Sequence, residues 1–364
     1  MRRRVCLLLA AALVLPLSGC RRSSGLLPYG REIEDMELMQ TLGVDAAPEG
    51  RVAVTASSGG PAPGEEAATV VTAAADTVSA AVLTMQGEGS SYLYFGHVGQ
   101  LLLGEELARR GVGASLEYIL RDVETRLDTA LYLVRDGTAG AAITAAGADG
   151  SASDRLEALA EDAGLLAGSM TRTVKDALTD FYAQGATFLP ALKADEGLTA
   201  AGYGLIKGET LAGWADGDVA LGINLLQGRV DADVVDLPLG GGGSAALRVV
   251  GVHTSVLPVF DGERLTGLAV NCRVEANLAE GDVTFRDKAA LAELEQALAE
   301  TEKRRMEEAL KLFQMLDADC LGLLRRAALA RPWHKKALEG ASLAGLEMKL
   351  VVTARIRRGY DATR

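Results

Sequence analysis

The sequence predicts an α+β protein of more than one domain, in which mixed and antiparallel β-sheets are surrounded by α-helices. Short runs with alternating apolar residues are typical of strands, and longer runs with an apolar stripe are typical of helices. Both patterns recur along the chain, and Gly-rich turns between strand patterns favour antiparallel hairpins. The 364 residues, of which 49% are hydrophobic, suffice for about two domains with buried cores.

The N-terminus has the pattern of an export signal. Residues 1–4 form a cationic head, and residues 5–17 are almost wholly apolar, which is too short for the roughly 20 residues of a membrane span. The run ends in Ser18, Gly19 and Cys20, which resembles the lipobox of bacterial lipoproteins. That resemblance implies cleavage between Gly19 and Cys20 and a lipid on the Cys20 thiol. The alternative is an ordinary signal peptide with an incidental cysteine.

Lipidation of Cys20 predicts a body that is held on the outer face of a membrane without spanning it, because two acyl chains anchor stably. We expect a signal peptide over residues 1–19 and a polar tether over residues 20–30. The formal charge of the whole chain is −12, and loss of the three arginines in the signal leaves −15. Such an acidic chain is a poor candidate for binding nucleic acid, which requires basic patches.

The first half of the chain shows alternating strand and helix patterns. Charged and apolar residues at helical spacing predict helices over residues 31–41, 98–110, 116–124, 138–146, 156–166 and 171–184. Val-, Tyr- and Leu-rich runs predict strands over residues 51–56, 67–74, 92–97, 128–135 and 189–192, the first two forming a hairpin. Residues 77–85 fit either type. We expect these elements to form an N-terminal domain over residues 31–195.

The second half has strand patterns around one long helix. Apolar runs at residues 200–206, 208–211, 219–226 and 229–237 lead to a Gly-rich hairpin tip at residues 240–243. Alternation predicts strands over residues 245–253, 265–276 and 346–357. An apolar stripe predicts a helix over residues 287–313, and residues 316–330 extend or follow it. We expect these elements to form a C-terminal domain over residues 200–361.

No residue pattern predicts catalysis, a metal site or a cofactor. Glu105 and Glu106 are adjacent, so they do not face one another on a helix. His97 has no accompanying nucleophile, which favours a structural role. Asp122 and Arg126 have the spacing of a local ion pair or of a buried orienting network.

The remaining cysteines and glycines also lack the spacing of known sites. Cys272 and Cys320 lie among apolar residues, which favours buried free thiols, although export makes a disulfide feasible. With three scattered histidines they form no zinc-ligand pattern. The glycines at residues 240–243 lack the lysine of a phosphate loop.

The order of several short motifs resembles the Ger(x)C family, the lipoprotein C subunits of spore germinant receptors. In the first half the motifs are REIED at 31–35, LGVD at 42–45, YFGH at 94–97, GEELA at 104–108 and LRDVETR at 120–126. In the second half they are GYGLIK at 202–207, LAGW at 211–214, DADCLG at 317–322 and RPW at 331–333. Cys320 and Leu321 stand where the family tends to have aromatic residues.

This resemblance implies several mixed domains, no catalysis, and a role in nutrient-triggered spore germination. It also implies two integral-membrane partners, the A and B subunits, and a lipid-anchored position on the outer face of the spore inner membrane. The competing hypothesis is a solute-binding lipoprotein of a transporter, which would need a ligand cleft between two α/β domains. An envelope hydrolase is disfavoured, because the sequence has no nucleophile elbow, zinc spacing or Cys/His pairing.

Overall fold

A computed structural model describes residues 35–60, 68–88, 91–166, 170–195, 197–230, 233–239, 243–281, 283 and 287–357. Gly19 and Cys20, together with the predicted signal and tether, lie outside these residues. So does the start of the predicted helix over residues 31–41 and most of the predicted hairpin tip at residues 240–243. The described residues form an α+β structure with two sheets, which confirms the predicted fold class.

The first sheet is built from nine strands. They are β1 (Met36–Ala46), β2 (Val52–Ser58), β3 (Val70–Ala75), β4 (Tyr92–Tyr94), β5 (Gln100–Gly104), β6 (Ala130–Val134), β7 (Ala186–Ala194), β8 (Leu198–Lys207) and β9 (Thr210–Ala215). Their order is β3-β2-β1-β5-β6-β7-β8-β9, and β4 pairs with β1. The central strands β1, β5, β6 and β7 run parallel, whereas the outer pairs β3-β2-β1 and β7-β8-β9 are antiparallel.

Six helices connect and cover these strands. They are α1 (Val78–Glu88), α2 (Glu105–Arg110), α3 (Gly113–Arg121), α4 (Ala139–Ala146), α5 (Ala152–Leu166) and α6 (Val174–Gln184). Because helices cover both faces of the central strands, those strands are apolar without alternation. Leu101, Leu102 and Leu103 of β5, for example, are all buried. The predicted hairpin of β2 and β3 is confirmed by their antiparallel pairing.

Two predicted helices in this half are wrong. The helix predicted over residues 31–41 is the start of β1, whose Met39, Leu42 and Val44 are fully buried between β2 and β5. The helix predicted over residues 98–110 is β5 followed directly by α2, and Gly104 ends the strand and caps the helix. In both cases a short apolar run lies beside charged residues, which is also the pattern of an amphipathic helix. Hydrogen bonding to neighbouring strands, which is not visible in the local sequence, stabilises the extended conformation instead.

The second sheet carries one long helix. Its strands are β10 (Asp233–Pro238), β11 (Ser244–Asp261), β12 (Arg264–Glu280) and β13 (Glu347–Arg357), in that order. Its helices are α7 (Gly217–Gln227), α8 (Lys288–Leu316), α9 (Leu323–Ala330) and α10 (Lys335–Leu338). The strands pair antiparallel except for β12 and β13, which are parallel.

The apolar stripe of α8 packs against one face of this sheet. Leu298, Met306 and Phe313 of that stripe are buried, and Asp287 caps the helix by accepting the N–H groups of Ala289 and Ala290. The predicted long helix is therefore confirmed. Of the two alternatives for residues 316–330, the second is confirmed: α9 follows α8 as a separate helix, because Asp317 adopts a left-handed conformation with φ of 46°.

The two sheets share a core. Strands β7 and β8 pair antiparallel, although the predicted domain boundary lies between them, so β8 and β9 complete the first sheet from beyond that boundary. Phe188 and Tyr203 of these strands belong to the same buried cluster as Val270 of β12 and Phe313 of α8. The second half of the chain thus contributes to both sheets.

Candidate interaction surface

The LGVD motif ends in a buried carboxylate at the carboxyl edge of the parallel strands. Asp45 at the end of β1 accepts the N–H of Ala139 at 2.7 Å and the N–H of Gly140 at 2.9 Å, both in the first turn of α4. Burial raises the pKa of Asp45, and these two donors oppose the rise. Ligands of open α/β sheets bind at this edge and at helix N-termini. Here the protein's own carboxylate fills that position.

The GEELA motif supports the same edge. A Cβ at Gly104 would lie 2.0 Å from the Asp45 Oδ1 atom, so only glycine fits there. Glu105 accepts the backbone N–H of Asp136 at 2.7 Å and a bond from the Arg109 guanidinium at 3.0 Å. Partial burial alone would raise the pKa of Glu105, but these bonds and one from Trp214 lower it. Both carboxylates are thus engaged in holding loops and helices together.

The DADCLG motif has a similar structural role in the second half. Asp319 caps α9 by accepting the N–H of Leu323 at 2.7 Å and that of Leu324 at 2.9 Å. Cys320 is fully buried beside the β8 backbone, and its burial raises the pKa of its thiol. This motif joins the helical layer of the second sheet to the first sheet.

A charge cluster that is buried except for Asp218 joins α7, α8 and β10. Arg305 of α8 bonds to Asp218 at 3.0 Å, to Asp233 at 2.5 Å and to Glu302 at 3.2 Å. Glu302 is completely buried, and desolvation raises its pKa to about 7. Arg305 opposes that rise, while the negative charges of Asp233 and Asp218 add to it. Local charge patterning does not reveal this cluster, because Asp218 and Asp233 are distant from Arg305 in sequence.

The other residues considered for chemistry lie apart. His97 is exposed after β4, with its ring edge-to-face against Tyr94 at 5.9 Å. The expected pair of Asp122 and Arg126 does not form, because α3 ends at Arg121 and Arg126 instead bonds to an exposed Asp128. Within the described residues no group of three or more His, Cys, Asp or Glu side chains is suited to a metal ion.

Both cysteines of the described body are buried and free, as the sequence favoured. Burial raises the pKa of Cys272 to about 11, so its thiol stays protonated and unreactive at neutral pH. Neither thiol has the environment of a nucleophile.

The face of the second sheet opposite α8 is open to solvent. Among the described strands only β12 pairs with β13, so β13 is an edge strand of 11 residues. Every second β13 residue is exposed, and Val351 at its centre is 55% exposed beside the exposed Asn271 of β12. Edge strands are the sites at which another chain adds a strand. We take the outward face and free edge of β13 as the candidate interaction surface.

The sequence predicts the strand that forms this surface, but it does not predict that the strand lies at the edge of the sheet. Alternation in residues 346–357 predicted the strand, and the polar positions of that alternation are the outward ones. The pairing order that leaves β13 at the edge depends on contacts distant in sequence. None of the helices in the described ranges combines the length and apolar character that a bilayer crossing requires.

Comparisons with known proteins agree with the order of the motifs. Residues 30–194 match the family model described as the spore germination protein N-terminal domain. Residues 201–359 match the model described as spore germination B3/GerAC like, C-terminal. A search of curated proteins found no match. Among solved structures, the crystal structure of the GerBC protein is similar in fold, with a TM-score of 0.59 and 17% identity over 86% of this chain and 96% of that one.

Proposed function

The chain belongs to the GerAC-like family of spore germination proteins, and on that premise we propose that it is the C subunit of a spore germinant receptor. In this proposal it is lipid-anchored, non-catalytic and needed for nutrient-triggered germination. The observation that carries the proposal is the match of both family models, in order, over residues 30–194 and 201–359.

The internal bonding of the motifs supports a role without catalysis. Asp45 and Asp319 cap helices, Glu105 holds a loop, and Arg305 bonds to three carboxylates. Each of these groups is engaged by the protein itself. A chain of this kind acts through its surface.

We propose that this surface binds the integral-membrane A and B subunits. The free edge of β13 supports the proposal, because an exposed strand offers main-chain groups and alternating side chains to a partner. Lys349, Val351, Thr353 and Arg355 point outward there. Cys20, as the lipid-bearing first residue of the mature chain, would hold this body at the outer face of the spore inner membrane.

The proposal is tested by deleting the gene in the spore-forming host. Spores without the chain should respond poorly to nutrient germinants while vegetative growth stays normal, and the wild-type gene should restore the response. A Cys20→Ala gene should restore it less well, because its product lacks the anchor. Unchanged germination of the deletion strain with every germinant would contradict the proposal.

A solute-binding lipoprotein of a transporter is the second candidate. A cavity of about 1000 Å³ lies beside the start of α5 and the β7–β8 turn, lined partly by Asp154, Arg155 and Thr199. It could hold a small solute, but it lies beside the first sheet and not in a cleft between two domains. A tight ligand raises the melting temperature by mass action. Thermal-shift measurements with amino acids, sugars and nucleosides separate the two functions, since only the second predicts a shift at micromolar ligand.

A further inference from the structure

An exposed apolar and cationic patch lies where α9 ends and α10 begins. Leu329 is 71% exposed and Trp333 is 72% exposed. The neighbouring His334 ring stacks on Phe260 at 4.2 Å, which holds this segment against the tip of the β11–β12 hairpin. We name Leu329 and Trp333, with the exposed cations Arg331, Lys335 and Lys336, the Trp333 patch.

The charge of this region is opposite to that of the whole chain. Residues 323–338 contain five Arg and Lys residues and no Asp or Glu, whereas the chain carries a formal charge of −12. Arg326 turns inward and donates to the backbone carbonyls of Leu226 and Thr254. The other four cations of the segment, Arg325, Arg331, Lys335 and Lys336, are exposed.

Acidic residues near the segment reduce but do not cancel this charge. Glu339 pairs with Lys335 at 3.4 Å, and Asp261 and Glu263 lie at the hairpin tip beside Arg264. The exposed Asp317 lines the same cavity as Arg325 and Lys335, and it pairs with Lys207 at 3.8 Å. With Arg264 included, the region has five exposed cations and four exposed carboxylates. The patch therefore keeps a net positive charge next to two large apolar side chains.

We propose that the Trp333 patch rests on the headgroups of an anionic lipid bilayer. Tryptophan is enriched at membrane interfaces, where its ring is half in water and half in apolar surroundings. Lys and Arg near an anionic leaflet add electrostatic attraction. The acidic remainder of the chain is repelled by the same surface, so charge favours this orientation of the body over others.

The proposed anchor keeps the start of the described body close to the membrane. The 16 residues from Cys20 to Asp35 span at most about 55 Å when fully extended. This inference rests on the proposed function for the presence of a membrane beside the body. Its test separates the two, because flotation with vesicles measures the anchor and quenching of Trp333 measures the patch.

The experiment uses the full-length lipidated chain in vesicles of phosphatidylglycerol that contain lipids brominated near the headgroup. Trp214 and Trp333 are the two tryptophans of the chain, and Trp214 is half-buried beside Arg135. We expect the bromines to quench part of the fluorescence of the wild-type chain and to leave the Trp333→Phe variant unquenched. The substitution is at an exposed position, so the fold is kept.

A charge comparison completes the test. Replacement of Lys335 and Lys336 by Gln should reduce quenching several-fold, whereas replacement of the exposed Lys303 and Lys311 of α8 should not change it. Vesicles of phosphatidylcholine alone should give weaker quenching. Equal quenching of the wild-type chain and the Trp333→Phe variant in anionic vesicles would overturn the proposal. So would full access of Trp333 to aqueous iodide in vesicles with which the chain floats, a result that fits a protein partner instead.

Discussion

Glu302 provides a direct test of the buried charge cluster, because its protonation is coupled to folding. The side chain is fully buried in the folded chain, and desolvation raises its pKa from an ordinary 4.5 to about 7. A carboxyl group whose pKa is higher in the folded state binds protons more tightly there. The stability it contributes is therefore present below pH 4.5 and is lost as the pH rises from 4.5 to 7.

The size of this loss follows from the pKa difference. One pH unit corresponds to about 1.4 kcal/mol, so a rise from 4.5 to about 7 corresponds to about 3 kcal/mol at pH 8. A Glu302→Gln variant keeps the shape and the acceptor oxygen for Arg305 but carries no charge. We expect it to match the wild type at pH 4.5 and to be more stable by about 3 kcal/mol at pH 8.

Urea unfolding of the chain from residue 21, followed by fluorescence at pH 4.5, 6 and 8, measures this difference. The comparison of variant with wild type cancels the titration of groups that both proteins share. Glu293→Gln, an exposed position on the same helix, is the matched control and should change stability by less than about 0.5 kcal/mol at each pH. A Glu302→Gln variant that is less stable than the wild type at pH 8 would refute the reasoning, because Glu302 would then act as a needed counterion for Arg305.

Three further predictions concern packing and capping. Asp45→Ala should lower the free energy of unfolding by about 2 kcal/mol in urea titrations, because two helix N–H groups lose their buried acceptor; no loss would show that water replaces it. Gly222→Ala should lower the free energy of unfolding by more than about 2 kcal/mol, because its Cβ would lie 2.1 Å from a backbone carbonyl oxygen of α8. The control Gly87→Ala, which adds a Cβ in open space on a helix, should raise that free energy slightly. Equal effects of the two variants on stability would contradict the close contact at Gly222. Cys272 and Cys320 should resist a thiol reagent in the native chain and react only in denaturant; rapid native labelling would contradict their burial.

The sequence predicted most strands and helices because their patterns are local. The alternation in residues 346–357 and the apolar stripe of α8 each follow from one face meeting a core. Local patterns failed at β1 and β5, where pairing on both sides and cover on both faces favour continuous apolar runs. A run such as Leu101–Leu103 beside Glu105 and Glu106 fits a helix equally well until its neighbours are known.

The candidate surfaces were less predictable than the elements that carry them. The edge position of β13 depends on its pairing with β12, and helix α8 separates these two strands along the chain. The contacts of Arg305 join residues that are up to 87 positions apart, so the charge pattern along α8 alone does not predict them. Trp333 belongs to the RPW motif, but the motif does not predict its exposure. That exposure depends on the contact of the neighbouring His334 with Phe260 of the β11–β12 hairpin.

The claim that this chain works by binding membrane partners is tested most directly by its recovery from spore membranes. A tagged full-length chain would be purified from detergent-solubilised spore inner membranes, and its partners would be quantified by mass spectrometry. The proposed function predicts two multi-span proteins, the A and B subunits, in amounts comparable with the chain. It also predicts their loss after replacement of the outward-facing Val351 and Thr353 by Asp, which keeps the backbone hydrogen bonds between β12 and β13. Recovery of the chain alone, or with the permease of a transporter, would contradict the proposed function.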